Sequence, residues 1–257
     1  EEVEEALKTH ASVRDAAAAY AVMAGPDAFD PNTRAQPAVA LEGLDELDLK
    51  GLRLGIFRPW FEHAEPGVVA ACDRAVEALV ARDATVVPIE VRELALLRTA
   101  HLVTITSEMH AALQRYFKHH RRALGLDTRL NLALAGRLLA ADYAQAQRVR
   151  QRFHDRFTDI FQACDVVLTP STGRTAPVIH PGALKAGESN LAVTEQIMRF
   201  APLGNLVGLP GLSVPCGYDA EGLPVGLQIM GPAWQEGRLL RVGAAVEADA
   251  PNSGVIT

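Results

Sequence analysis

Apolar positions along this chain recur at two periods, and each change of period predicts a new element. Ser12-Val-Arg-Asp15 has the spacing of a capping box ahead of an Ala-rich run that Gly25-Pro26 stops, which predicts a helix from Val13 to Ala24. Pro26 to Leu49 lacks periodicity and reads as a linker. Leu52 to Phe57 reads as a strand, Gly67 to Ala81 as an amphipathic helix with Val69, Cys72, Val76 and Leu79 inward, and Thr85 to Ile89 as a second strand. That is a βαβ unit, which favours a sheet covered by helices. Helical patterns follow from Glu93 to Tyr116, Thr128 to Leu139 and Asp142 to about Gln162. Asp165-Val-Val-Leu-Thr169, ended by Pro170, has the composition of a buried strand.

Beyond it, a helix is predicted from Asn190 to about Leu206, strands at Leu212 to Pro215 and Val225 to Met230, and a closing helix from Glu236 to Ala248. Gly208-Leu-Pro-Gly211 breaks the helix and feeds the first strand, and Gly222-Leu-Pro224 is a turn able to join the two strands as a hairpin. The expected class is α/β, a mixed sheet sandwiched by helices. Residues 1–250 are expected to form a single domain, with 251–257 a frayed tail.

Composition narrows the function. With 257 residues and 49% hydrophobic content the chain can bury a sizeable core. A net charge of -6, spread along the chain, leaves Lys118-His-His-Arg-Arg122 as a short basic run within a helical pattern, which does not indicate nucleic-acid binding. Cys72, Cys164 and Cys216 have no C-x-x-C spacing and read as small core residues in a reducing, cytoplasmic setting. No apolar run reaches the roughly 18 residues that span a bilayer. The histidines form no metal constellation: His119 and His120 point to different helix faces, His101 and His110 stand more than two turns apart, and His180 falls in a loop. No metal or cofactor is expected.

Asn205-Leu-Val-Gly-Leu-Pro-Gly-Leu-Ser-Val-Pro-Cys-Gly217, Gly222-Leu-Pro-Val-Gly-Leu-Gln-Ile-Met-Gly231 and Trp234-Gln-Glu236 form a long ordered string. Ahead of it stand Val22-Met-Ala-Gly-Pro-Asp27, Leu49-Lys-Gly-Leu-Arg-Leu-Gly55, Asp142-Tyr143 with Gln147-Arg-Val-Arg150, and Asp165-Val-Val-Leu-Thr-Pro170. Together they resemble the C-terminal part of amidase-signature enzymes, landmark by landmark. Within that family the plant-type fatty acid amide hydrolase branch is the nearest match, through Arg53-Leu-Gly55 with Trp60-Phe61, Asp127-Thr-Arg129, Thr172-Gly-Arg-Thr-Ala-Pro-Val-Ile179, Ala183-Leu-Lys185 with Gly187-Glu-Ser-Asn190, and Ile197-Met-Arg-Phe200.

The resemblance implies a serine amidohydrolase in which a Ser nucleophile, a bridging Ser and a neutral Lys cleave a carboxylic amide. That Lys and both Ser are expected upstream of Glu1, and Ser107, Ser171, Ser189 and Lys185 are not promoted in their place; the chain alone is then expected to be inactive. By the same resemblance Ile197, Met198, Phe200 and Pro202 line an acyl channel, and Leu134 and Leu138, on one stripe of a helix, form a second wall. Each buried alkyl methylene is worth about 0.8 kcal/mol, so large apolar residues suit such a channel. Asp127 and Arg129 read as residues that cap and brace that helix, or Arg129 as a substrate-carboxylate ligand as in the amidotransferase branch. The implied substrate is a small-molecule amide, foremost a fatty acid amide such as an N-acylethanolamine, which allows peripheral membrane contact; a homodimer is also compatible. A short-chain or aryl amidase, the amidase component of a tRNA-dependent amidotransferase and a non-catalytic remnant stay open as alternatives.

Overall fold

The computed structural model describes residues 12–30, 33–38, 41, 43–178, 181–182 and 190–251. His180, Lys185, Ser189, most of the Ala183 to Asn190 segment and the tail beyond Pro251 lie outside the described residues. The elements in chain order are α1 (Val13–Met23), β1 (Arg53–Ile56), α2 (Arg58–Phe61), α3 (Pro66–Ala81), β2 (Thr85–Pro88), α4 (Leu94–His120), a 3-10 turn (Arg121–Ala123), α5 (Leu126–Ala135) and α6 (Ala140–Ala163). They continue with β3 (Val166–Pro170), α7 (Leu191–Ile197), α8 (Ala201–Val207), β4 (Gly211–Tyr218), β5 (Pro224–Met230) and α9 (Glu236–Asp249).

The strands form one five-stranded sheet in the order β2-β1-β3-β5-β4. β1 runs parallel to β2 and β3, and β5 runs antiparallel to β3 and β4. The expected βαβ unit is therefore present as β1-α3-β2, and the expected hairpin as β4-β5. Alternation along β3 divides the core. Val166 and Leu168 face α1, α3 and α9 with Leu54, Leu79, Leu227 and Val242, whereas Val167 faces α4, α6 and α8 with Leu97, Phe153, Phe157 and Leu203. The mixed α/β sandwich is the architecture read from the sequence.

Local chemistry sets the element ends. The Ser12 hydroxyl accepts from the Asp15 N–H at 3.1 Å while the Asp15 carboxylate accepts from the Ser12 N–H at 2.9 Å, so the capping box forms as written. In α6 the Asp142 carboxylate accepts from the Leu139 N–H at 2.8 Å, which makes Asp142 the third helical residue and starts the helix two residues before its sequence reading. The inward stripe of α3 is Val68, Ala71, Cys72, Ala75, Val76 and Leu79; Val69, expected inward, is only partly buried beside it. β4 outruns its expected end at Pro215 because an edge strand tolerates a missing N–H, and its ladder resumes at Gly217 after an irregularity.

Two further sequence expectations fail. The helix expected from Asn190 to Leu206 is two helices, because Pro202 in the first turn of α8 has no N–H for the Met198 carbonyl and its ring excludes a continuous turn there. Leu138 does not share a helical stripe with Leu134: α5 ends at Ala135, Gly136 caps it, and Leu138 falls in the following turn.

At the N-terminal end of β3, Asp165 accepts from the Arg53 N–H at 2.8 Å and from its guanidinium at 3.1 Å, fixing β1 against β3. Burial alone would raise the Asp165 carboxyl, but the hydrogen bonds and charge of Arg53, with help from Arg238, outweigh it and hold the group below its ordinary value of 3.8. A depressed carboxyl contributes stability above the unfolded value and loses it as pH falls through the folded one. Asp165→Asn is therefore expected to cost on the order of 1 kcal/mol near neutral pH. The gap to the parent chain should narrow as pH drops below about 3.8, read from urea midpoints. A gap independent of pH would show that Asp165 acts through shape alone.

Candidate substrate-binding wall

β3 delivers the chain to the surface at Ser171. Its N–H donates to the Gly226 carbonyl at 2.8 Å, carrying the β3-β5 ladder one step past the strand. The Ser171 and Ser213 hydroxyls then meet at 2.5 Å across β5. A side chain on Gly226 would put its Cβ 2.8 Å from one hydroxyl and 3.1 Å from the other, so the pair depends on glycine there. Sequence reading sets Ser171 aside and does not find Ser213; the small residue between them on the neighbouring strand is the available signal.

From Ser171 the loop turns back onto α7. The Gly173 N–H donates to the Gln196 carbonyl at 2.8 Å, and the Gly173 carbonyl accepts from the Glu65 N–H at 2.8 Å. The Arg174 guanidinium adds a 3.1 Å bond to the Gln196 side chain. Asn190 caps α7 through the Ala192 and Val193 N–H groups. Beneath the break between α7 and α8, the Gln228 amide lies 3.4 Å from the Thr169 hydroxyl and 3.5 Å from the Phe200 carbonyl.

The predicted wall residues separate by depth. Ile197 and Met198, at 36% and 39% exposure, stand at the surface together, whereas Phe200 and Pro202 are buried under them. The Phe200 ring packs on Trp60 with centroids 5.6 Å apart, so it props the wall from behind. Beside the wall, Arg98 and Arg199 each approach Glu195 at 3.7 Å, and Arg199 donates to the His63 carbonyl at 2.8 Å. Burial, then the charges of Arg199 and Arg98, hold the His63 imidazole below its ordinary value.

Leu134, 69% exposed, and half-buried Leu138 belong to a second region. There α5 lies on α4, with His110 Nδ1 3.0 Å from the Leu132 carbonyl. α4 links both regions: Arg98 touches α7 and His110 touches α5, and their 12-residue separation is about 18 Å along the axis. Between them Leu102 and Ile105, 58% and 41% exposed, share the Arg98 face. Asp127 sits in the first turn of α5, while the Arg129 Nε is buried with no hydrogen-bond partner among the described residues.

The arrangement offers an apolar surface and polar donors. Among the described residues the lysines are Lys50 and Lys118. Lys50 precedes β1 while Ser171 follows parallel β3, so a five-residue strand, about 16 Å, separates the two ends. Lys118 lies in the last turn of α4. Among the described residues no group of three or more His, Cys, Asp or Glu side chains could hold a metal ion, and no helix is long and apolar enough to cross a membrane.

A mixed sheet covered by helices on both faces, with this β3 exit and β4-β5 hairpin, makes the fold an α/β sandwich. The family model described as Amidase matches residues 10–240, and the chain belongs to that family, the amidase-signature proteins. It is 42% identical over 245 residues to a fatty acid amide hydrolase of Medicago truncatula, covering 92% of this chain and 40% of that protein. It is 37% identical over 252 residues to a fatty acid amide hydrolase of Oryza sativa subsp. japonica, covering 95% of this chain and 41% of that protein. It is also 31% identical over 268 residues to a glutamyl-tRNA(Gln) amidotransferase component of Thermosynechococcus vestitus, covering 93% of this chain and 54% of that one. A solved structure described as a vestigial protein complex bearing on the origins of an s-triazine catabolic enzyme superposes with a TM-score of 0.74 at 26% identity, over 92% of this chain and 51% of its own. The chain thus spans about 40% of the length of the Medicago truncatula fatty acid amide hydrolase it matches.

The Gly173 latch has a direct test. A Cβ at Gly173 would sit 2.7 Å from the Gln196 carbonyl oxygen, so Gly173→Ala must part the loop from α7. Faster hydrogen exchange at the residue 173 amide, by at least about tenfold, is expected, with exchange in β3 unchanged. Unaltered protection at 173 would show that the loop is held without this bond.

Proposed function

We propose that this chain forms the substrate-side wall of an amide hydrolase that acts on fatty acid amides, N-acylethanolamines among them. The reaction is that of the intact protein, with the Ser nucleophile, bridging Ser and neutral Lys coming from residues outside the site described above. One observation carries the reading: Ile197 and Met198 at the α7 end, with Leu102 and Ile105 following on the Arg98 face of α4, place large exposed apolar side chains along about 10 Å of that helix. Large exposed apolar residues in a row are informative where scattered ones are not. A short or aryl amide would need only one end of that row, whereas an extended alkyl chain gains about 0.8 kcal/mol for each methylene laid along it. The greater identity to a fatty acid amide hydrolase than to an amidotransferase component supports the same choice. The lipid-like substrate brings the row near a membrane surface without a spanning helix.

Met198→Trp in the intact protein tests the wall. Added bulk meets only substrates that reach it, so kcat/KM for long acyl amides should fall about tenfold or more relative to short ones, with folding checked by circular dichroism. Parallel loss on both substrates would make Met198 ordinary packing and remove the support for an alkyl channel at α7.

A further inference from the structure

Away from the wall, α3 and β4 bring two thiols together in the core on the opposite face of the sheet. Cys72 Sγ on α3 lies 3.9 Å from Cys216 Sγ on β4, and neither thiol is in a disulfide. The two differ in access. Cys72 has no accessible surface, with its sulfur 3.7 Å from the Gly226 carbonyl, whereas Cys216, buried but 5% exposed, lines a surface cleft of about 280 Å³ with Arg74, Ala78, Val246 and Asp249. Most buried cysteines are inert because nothing reaches them and nothing stabilises the thiolate. Here a surface cleft reaches Cys216, Arg74 lines the same cleft, and a second thiol stands 3.9 Å behind.

We infer that Cys216 is a peroxide-sensitive thiol and that Cys72 resolves its oxidised form as a reversible disulfide joining α3 to β4. The Cys216 thiolate attacks the terminal oxygen of hydrogen peroxide, the S–O bond forms as the O–O bond breaks, and hydroxide leaves, taking up a proton as water. The Cys72 sulfur then attacks the sulfenyl sulfur of Cys216, the S–O bond breaks, and the Cys72 proton leaves with the hydroxide as a second water. Two electrons pass from the thiol pair to one peroxide, and a dithiol reductant returns them. The sulfurs must close from 3.9 Å to about 2.05 Å, a movement within reach of side-chain rotation and a small strand shift. The asymmetry of the pair sets the order: hydrogen bonding from Cys72, against burial and with help from Arg74, holds the Cys216 thiol below its ordinary value, while the same contact and burial push Cys72 up.

Cys164 is the internal control, because it is buried in the other core against α6 and burial pushes its thiol up to about 11. The chain is reduced, treated with hydrogen peroxide, alkylated under denaturing conditions and digested without reductant. A Cys72-Cys216 linked peptide in most molecules, with Cys164 alkylated and the link removed by dithiothreitol, is the expected result. In Cys72→Ser the sulfenic acid should persist at Cys216 and be captured by dimedone; in Cys216→Ser no adduct should form at Cys72. The proposal is overturned if both thiols of the parent chain stay free, or if Cys164 oxidises as fast as Cys216. The parent chain alone decides this, whether or not either variant folds.

Discussion

The structure depends on β3 being buried along its whole length while pairing in two senses. Its five residues are all inaccessible, with β1 parallel on one side and β5 antiparallel on the other, so it is the seam where the sheet changes direction. Buried backbone groups must be paired, and a central strand meets that demand only if both neighbours keep register. Arg53 and Asp165 hold the register at the entrance; the Ser171 N–H bond to Gly226 holds it at the exit. A slip of one residue would exchange Val166 and Leu168 for Val167 between two differently shaped cores. Three polar contacts of the candidate wall are counted from that exit: Ser171 to Ser213, Gly173 to Gln196, Thr169 to Gln228.

How much of this the sequence discloses follows from which forces are local. Strand and helix identity depends on apolar period, and the period correctly places the βαβ unit, the buried strand at Asp165 to Thr169 and the closing hairpin and helix. The break at Met198 to Phe200 is also local, since Pro202 forbids a straight run, but apolar residues on both sides mask it. Leu138 is misplaced for a nonlocal reason: His110 on α4 bonds the Leu132 carbonyl, and Gly136 ends α5 against the same histidine, with 3.0 Å to its ring from a Cβ built there. No window around Leu138 contains that contact. The Ser171-Ser213 pair joins residues 42 apart in sequence and is visible only once β5 lies between them.

The wall residues show why a sequence stripe and a surface differ. Ile197, Met198, Phe200 and Pro202 read as one apolar group, yet the helix break turns the first pair outward and the second pair inward. Phe200 then gains Trp60 and the α6 core, and Pro202 is buried in the first turn of α8, so both are held by burial while Ile197 and Met198 stay exposed. A binding surface benefits from this division, because residues that touch the ligand keep their geometry when others beneath them carry the packing.

The same reasoning separates binding from cleavage. A serine becomes a nucleophile when a base takes its proton, and a hydroxyl paired with another hydroxyl still needs a base behind the second one. Ser171 and Ser213 satisfy each other at the end of the sheet opposite Lys50, and the cationic groups near the wall are guanidiniums, which do not give up a proton. Arg98 and Arg199 converge on Glu195 instead, fixing α7 to α4 by charge at the point where the apolar row begins. On the proposed reading, the chemistry within reach of Met198 is adhesion and orientation: apolar contact along α4, an ion cluster at one end, and a paired hydroxyl surface where β3 leaves the sheet.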